Sequence, residues 1–264
     1  FNYVQTTNTT DYRTSPQEYG GFSILSDAEK QYAVDLVFGE DGLRINLLKM
    51  FLDPLHQATE NGPFDHETST AYMREFVERG LQMANSYDQS ISIVSTLYGP
   101  PAFMTKQKVL FGRDLDPTKK DDLVNYFVDW ATYLKKNNFP LTALSLHNEG
   151  EGWERWPADG VANRHMDYNM LWTPEQVTEI MPMLREVLDA AGLHDVLVTP
   201  GETWSWDRFV EWGFANAIAD DPQAVASTIR VARAQAPGLG ILVRATYQAD
   251  RERLLALGAD RVVV

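Results

Sequence analysis

The chain has 264 residues, is 44% hydrophobic and 11% aromatic, and carries a formal charge of -14. Such a composition builds a core and excludes a disordered chain. The negative charge disfavours nucleic acid and anionic membrane surfaces as partners, since both need a cationic face. Cysteine is absent, which excludes disulfides and thiolate metal sites. No apolar run is long enough to span a membrane.

Residues 1–17 are polar and read as an irregular lead-in. No signal peptide is visible, and the chain starts at Phe1, as a processed product or a fragment would. A short strand is expected over Tyr19–Ser23. Ser26 with Glu29 forms a capping box that opens a helix reaching about Phe38. Leu43–Met50 reads as a second strand. Thr68–Ala84 has Tyr72, Phe76, Val77, Leu81 and Ala84 at helical spacing. Ile91–Leu97 is a third strand, Pro117–Lys136 a helix and Leu141–Leu146 a fourth strand. Thr173 with Gln176 is a second capping box, with Pro174 at the first helical position, and its helix stops at Gly192. Val196–Thr199 is a fifth strand, and Trp206–Ala219 a helix.

Five alternations of strand and helix predict a parallel sheet with helices outside it. An eight-stranded (β/α)8 barrel of the TIM type fits better than an open doubly wound sheet, because no G-x-G-x-x-G turn occurs. Functional side chains then belong in the loops at the carboxyl ends of the strands.

The composition changes near Asp221-Pro222. Residues 222–264 hold one aromatic, Tyr247, six Arg and no Lys, with a net charge of +3 against -17 for residues 1–221. The tail reads as helix 225–236, strand 241–245, helix 250–257 and a short strand 262–264. It is either the Ala-rich end of one domain or, as we prefer, a segment of different origin. Its strands are expected at barrel positions six and seven, one short of closure.

His147-Asn148-Glu149 ends the fourth strand, and a Trp-rich loop follows. A glutamate there can serve as general acid toward a glycosidic oxygen if apolar surroundings keep it protonated, a role Trp153 and Trp156 would support. Asn148 is placed to hold a sugar hydroxyl. Glu202, at the end of the next strand, is the second carboxylate or a lining residue. Trp153, Trp156, Trp172, Trp204 and Trp206 lie in or beside strand-end loops, where indoles stack on the apolar faces of sugars. Trp130 and Trp212 fall on helix faces and are expected in the core. Glu151, Glu154, Asp65, Glu67 and Asp159 are expected in solvent, and His66 and His165 at the surface or in loops. The histidines show no metal spacing, and no nucleotide or cofactor motif appears, so neither metal nor cofactor is assigned.

Gly20-Gly21-Phe22, Gly42–Lys49, Leu97–Met104 and Leu144–Glu149, in that order, resemble glycoside hydrolase family 30, a (β/α)8 family of retaining glycosidases, over residues 19 to 220. The resemblance implies an oligosaccharide or polysaccharide substrate and a mostly secreted or periplasmic setting. It makes Glu149 the acid/base beside Asn148 and His147, and puts Tyr98 at the family's aromatic after strand three. Lys49 stands where relatives have arginine, and Gly150 where they have proline. The family's nucleophilic glutamate, on strand seven, has no counterpart, so weak or no turnover is expected unless Glu202 substitutes. The tail words Ile229–Arg233, Ile241–Ala245 and Leu257–Val263 resemble part of the nucleotide-binding regulatory domain of Kef-type cation:proton antiporters, without its glycine-rich turn. A non-catalytic carbohydrate-binding barrel fragment and a nucleotide-responsive fragment are the competing classes.

Overall fold

The computed structural model describes residues 2–3, 22–110, 112–151, 158–161, 169–215, 217, 222–245 and 248–264. Trp153, Trp156, Glu154 and His165 lie outside the described residues.

A five-stranded parallel sheet runs in the order β1 (Asn2–Tyr3), β2 (Leu47–Leu52), β3 (Ser92–Leu97), β4 (Leu141–Ser145) and β5 (Leu197–Thr199). Between these strands lie α1 (Asp27–Phe38), α2 (Ala71–Asn85), α3 (Lys120–Lys136) and α4 (Pro174–Ala190). Both capping boxes form: Ser26 with Glu29 starts α1, and Thr173 with Gln176 starts α4. Each satisfies amide donors that the first turn leaves open.

Strand alternation decides what the sheet presents. On β2, Leu48, Met50 and Leu52 face the helices and join the main core, which leaves Lys49 and Phe51 on the opposite face. On β3, Ser95 points to the helix side, where its hydroxyl accepts the Trp130 indole N–H of α3 at 2.8 Å. Thr96 therefore shares the face of Lys49. Leu123, Phe127, Trp130 and Leu134 of α3 are fully buried against the sheet.

Several expectations need correction. The first strand is Asn2–Tyr3, inside the supposed irregular lead-in, and it pairs with Lys49 and Met50. Of the strand expected over Tyr19–Ser23, residues 19–21 lie outside the described residues, and Phe22–Ile24 forms a 3-10 turn with the Phe22 ring edge-on to Phe76 at 5.3 Å. The helix expected over Trp206–Ala219 is broken once: α5 (Trp206–Glu211) ends in a turn at Gly213, whose φ of 84° suits glycine, and helical backbone resumes at Phe214, Ala215 and Ala217, while residues 216 and 218–221 lie outside the described residues.

The tail forms α6 (Pro222–Gln235), β6 (Leu242–Arg244), α7 (Asp250–Ala256) and β7 (Arg261–Val263). Its strands were expected at positions six and seven of one sheet. Instead β6 and β7 pair only with each other, in parallel, as a separate two-stranded sheet among the described residues. Val225, Ile229, Val243, Leu254 and Val262 gather in a hydrophobic cluster distinct from the main core. Helix α6 nevertheless packs on β5 and α4. Between β5, α5, α6 and β6 lies a chamber of about 820 Å³, walled by Val198, Phe209, Ile229 and Val243 and reached by Glu202 and Trp204. No described helix is long and apolar enough to cross a membrane.

Candidate functional site

The site assembles where β4 and β5 end. Their pairing continues past the strands: Glu202 N–H donates to the His147 carbonyl at 2.8 Å, and Glu149 N–H donates to the Glu202 carbonyl at 2.6 Å. Asn148 and Glu202 thus sit opposite each other as a parallel bridge. Two carboxylate-bearing residues from adjacent strand ends are fixed in register by backbone alone.

Lys49 reaches this point from the face of β2 opposite the helices. Its ammonium donates to Asn148 Oδ1 at 2.7 Å and forms an ion pair with Glu202 Oε2. The other Glu202 oxygen accepts the Thr96 hydroxyl at 2.8 Å. The Lys49 side chain is 12% exposed and that of Glu202 40%, so the pair stands at the boundary between core and solvent. The stem of Lys49 lies along Phe51, with its ammonium 4.6 Å from the ring centre. Asn148 in turn donates to Asn169 Oδ1 at 3.3 Å.

Glu149 is half-buried and holds a φ of 47°, in the left-handed region. A non-glycine residue there costs about 1–2 kcal/mol. Such strain persists only where neighbours over-determine the backbone, and here the bond to Glu202 and the tight turn through Gly150 do so.

His147 lies beneath this turn. Its ring is buried, stacked on Trp172 at 5.5 Å and tilted against Phe214 at 5.4 Å. Nδ1 accepts Gly150 N–H at 3.1 Å. Proline at position 150 could not make that bond, and a Cβ on Gly150 would come within 2.7 Å of Trp172. This accounts for glycine where the resembled family carries proline. Burial pushes the His147 imidazole down to about 3, with the Lys49 charge acting in the same direction.

That shift predicts a pH dependence. The native ring stays neutral, whereas the unfolded ring titrates near its ordinary 6.5. Stability is therefore whole above pH 6.5 and falls as pH drops toward 3, by a total on the order of 4 kcal/mol. Urea unfolding of the wild type and His147→Asn across this window checks it: the variant is expected to lose about one proton of pH dependence.

Of the residues singled out by sequence, Lys49, Asn148 and Glu202 come together in direct contact, with Glu149 beside them. His147 and Tyr98 were expected to bind substrate, but both are buried: His147 is the floor of the turn, and Tyr98 packs edge-on to Phe51 at 5.0 Å. Trp172 is likewise buried under His147, whereas Trp204 and Trp206 are 71% and 87% exposed. Trp130 is in the core, and Trp212 packs against it partly buried. Glu151 was expected in solvent and is only 2% exposed, because it turns inward to accept Trp204 N–H at 2.6 Å. His66, expected at the surface or in a loop, lies in a loop but is buried, its Nδ1 2.8 Å from that of His56 and its Nε2 2.7 Å from Asp129.

Thr96 and Asn169 were missed. Alternation along β3 could have placed Thr96 on the face of Lys49, whereas Asn169 follows a long loop and gave no signal. Among the described residues no group of three His, Asp or Glu side chains is arranged to hold a metal ion.

No protein-family model matches the sequence, and neither does any curated protein compared with it. Solved structures do superpose on the chain. SrfJ from Salmonella typhimurium matches 91% of this chain and 60% of its own length, with a TM-score of 0.58 at 15% identity. The endo-β1,6-glucanase BT3312 matches 93% of this chain and 57% of its own, with a TM-score of 0.60 at 13% identity. Xyn30A, a xylanase of glycoside hydrolase family 30 from Clostridium acetobutylicum, matches 90% of this chain and 51% of its own, with a TM-score of 0.55 at 16% identity. The fold is glycosidase-like. The chain spans between half and three-fifths of the length of these structures. The tail's likeness to a nucleotide-binding regulatory domain gains no support from them.

Proposed function

We propose that the chain carries the sugar-binding rim of a family 30-type glycoside hydrolase, with Glu149 as proton donor and little or no turnover. The observation that carries this reading is the cluster of Lys49, Asn148 and Glu202 beside the strained Glu149, flanked by exposed Trp204 and Trp206. Glu149 would protonate the departing glycosidic oxygen, Asn148 would hold a ring hydroxyl, and the indoles would stack on sugar faces.

Retaining hydrolysis also needs a carboxylate free to attack the anomeric carbon. Glu202 suits that task poorly. Its carboxylate is held by the Lys49 ammonium on one oxygen and the Thr96 hydroxyl on the other, a contact that draws electron density from the group and fixes its orientation toward β2 and β3. We read Glu202 as the residue that anchors Lys49 and lines the cleft. Residues 222–264, with their own small sheet and cluster, are in our reading a segment joined to residues 1–221 in place of the strands that would carry the missing nucleophile.

Calorimetric titration with neutral β-linked gluco-, xylo- and manno-oligosaccharides, with product analysis of the same samples, tests the reading. Binding at micromolar to millimolar strength with little product is the expected result. Absence of binding to all of them contradicts it.

A further inference from the structure

The ladder joining the ends of β4 and β5 does not stop at Glu202. The next amide able to continue it on that chain, the N–H of Trp204, donates at 2.6 Å to Oε1 of Glu151. The left-handed turn at Glu149 carries the main chain away from the ladder direction, and a side chain two residues later returns to supply the next acceptor. The Glu151 side chain is enclosed, and its second oxygen is buried without a hydrogen-bond partner among the described residues. Enclosing a carboxylate costs more than one amide bond returns, so this contact is an expensive way merely to hold a loop.

What the contact fixes is Trp204. Below the indole, the backbone is tied to Glu151, and the Thr203 hydroxyl closes the turn by donating to the Ser205 carbonyl at 2.9 Å. Above, the ring is 71% exposed, with the Arg208 guanidinium 5.6 Å from its centre. An aromatic platform contributes to sugar affinity only if it is already in place, since ordering a loop on binding subtracts from the gain.

We propose that Glu151 is a positioning residue that sets Trp204 as a preformed stacking platform for a sugar ring beside Glu149 and Glu202. This rests on the reading of the site as a carbohydrate site. Glu151 does not touch the ligand; it acts through the backbone of Trp204.

Three variants and two readouts test it. Glu151→Ala removes the acceptor. Glu151→Asp keeps the charge but shortens the reach, and serves if the alanine variant fails to fold. Glu151→Gln keeps an oxygen acceptor at the same length. Hydrogen exchange at the Trp204 amide reads the contact without any sugar. It is expected to speed up roughly tenfold in Glu151→Ala and Glu151→Asp and to stay near wild type in Glu151→Gln. Oligosaccharide affinity is expected to follow, weakening roughly tenfold in the first two variants, with rescue by glutamine. In a Trp204→Ala background the same changes are expected to have no further effect on affinity, as residues acting through one group do not add.

An amide that stays protected in Glu151→Ala and Glu151→Asp overturns the proposal. So does an affinity loss of the same size whether or not Trp204 is present. If the exchange results hold but no variant and no wild-type protein binds sugar, the carbohydrate reading fails and takes the platform role with it, while the Glu151–Trp204 contact stands.

Discussion

Replacing Glu149 with glutamine is expected to remove what slow hydrolysis the protein performs on glycosides with poor leaving groups, by a factor of about 10²–10⁴, while oligosaccharide affinity changes little. The substitution keeps the shape and hydrogen-bonding capacity of the side chain and deletes the transferable proton. It also keeps the left-handed backbone at φ 47°, since the ladder bond to the Glu202 carbonyl belongs to the main chain. Leaving groups that depart as stable anions, such as dinitrophenolate, need no proton, so hydrolysis of activated aryl glycosides is expected to suffer far less. This contrast separates loss of an acid from loss of the fold. Glu202→Gln is the matching control. It strands the Lys49 ammonium, which now pairs with the Glu202 carboxylate. Robust wild-type turnover that vanishes in Glu149→Gln but persists in Glu202→Gln would show that a nucleophile exists elsewhere, and the account of a missing one would be wrong.

Gly201→Ala is expected to be the most damaging single-methyl addition near the site, costing about 3 kcal/mol or more. Two effects combine. Gly201 holds a φ of 113°, outside the range that side-chain-bearing residues adopt readily. A Cβ there would also meet His147 Cδ2 at 2.2 Å and Nε2 at 2.3 Å. The imidazole has no room to withdraw, because Trp172 stacks on it and Phe214 packs beside it. Moving the Gly201 backbone instead would break the bond from Glu202 N–H to the His147 carbonyl, and with it the register of the two carboxylates. Differential scanning calorimetry checks this, with a fall in midpoint of several degrees or more expected. Gly192→Ala is the comparison. Its φ of 77° is also positive, but no atom lies within 4 Å of its Cβ position, so only the conformational part of the cost remains.

The sequence was most informative where the signal is local. The largely apolar stretch Leu141–Leu146 forms β4 over Leu141–Ser145, because such a run between a proline and a polar turn has few other uses. The helices at Ser26 and Thr173 start at their capping residues, since a cap is decided within four residues. Failures came where a distant partner decides the outcome. Asn2–Tyr3 has no pattern of its own and is a strand only because β2 offers its edge. Glu151 looks like a solvent-facing residue in sequence and is drawn inward by a backbone amide 53 positions away. His66 lies in a loop, one of its two expected settings, and its burial is decided by His56 and Asp129. His147 and Tyr98 share sequence motifs with Asn148 and with the strand-end loops, but chain geometry buries one against Trp172 and the other against Phe51.

The tail shows the same limit on a larger scale. Its helices and strands were legible from local pattern, whereas its place in the fold was not. Which sheet a strand joins depends on edge-to-edge pairing, and β6 pairs with β7 across a short crossover rather than with β5 across the chamber.

A crystal structure with a bound oligosaccharide tests the central claim most directly. The account predicts a sugar ring stacked on Trp204, with a glycosidic oxygen within hydrogen-bonding distance of the Glu149 carboxyl and a ring hydroxyl on Asn148. A sugar seated elsewhere, with Glu149 pointing away from it, would contradict the account.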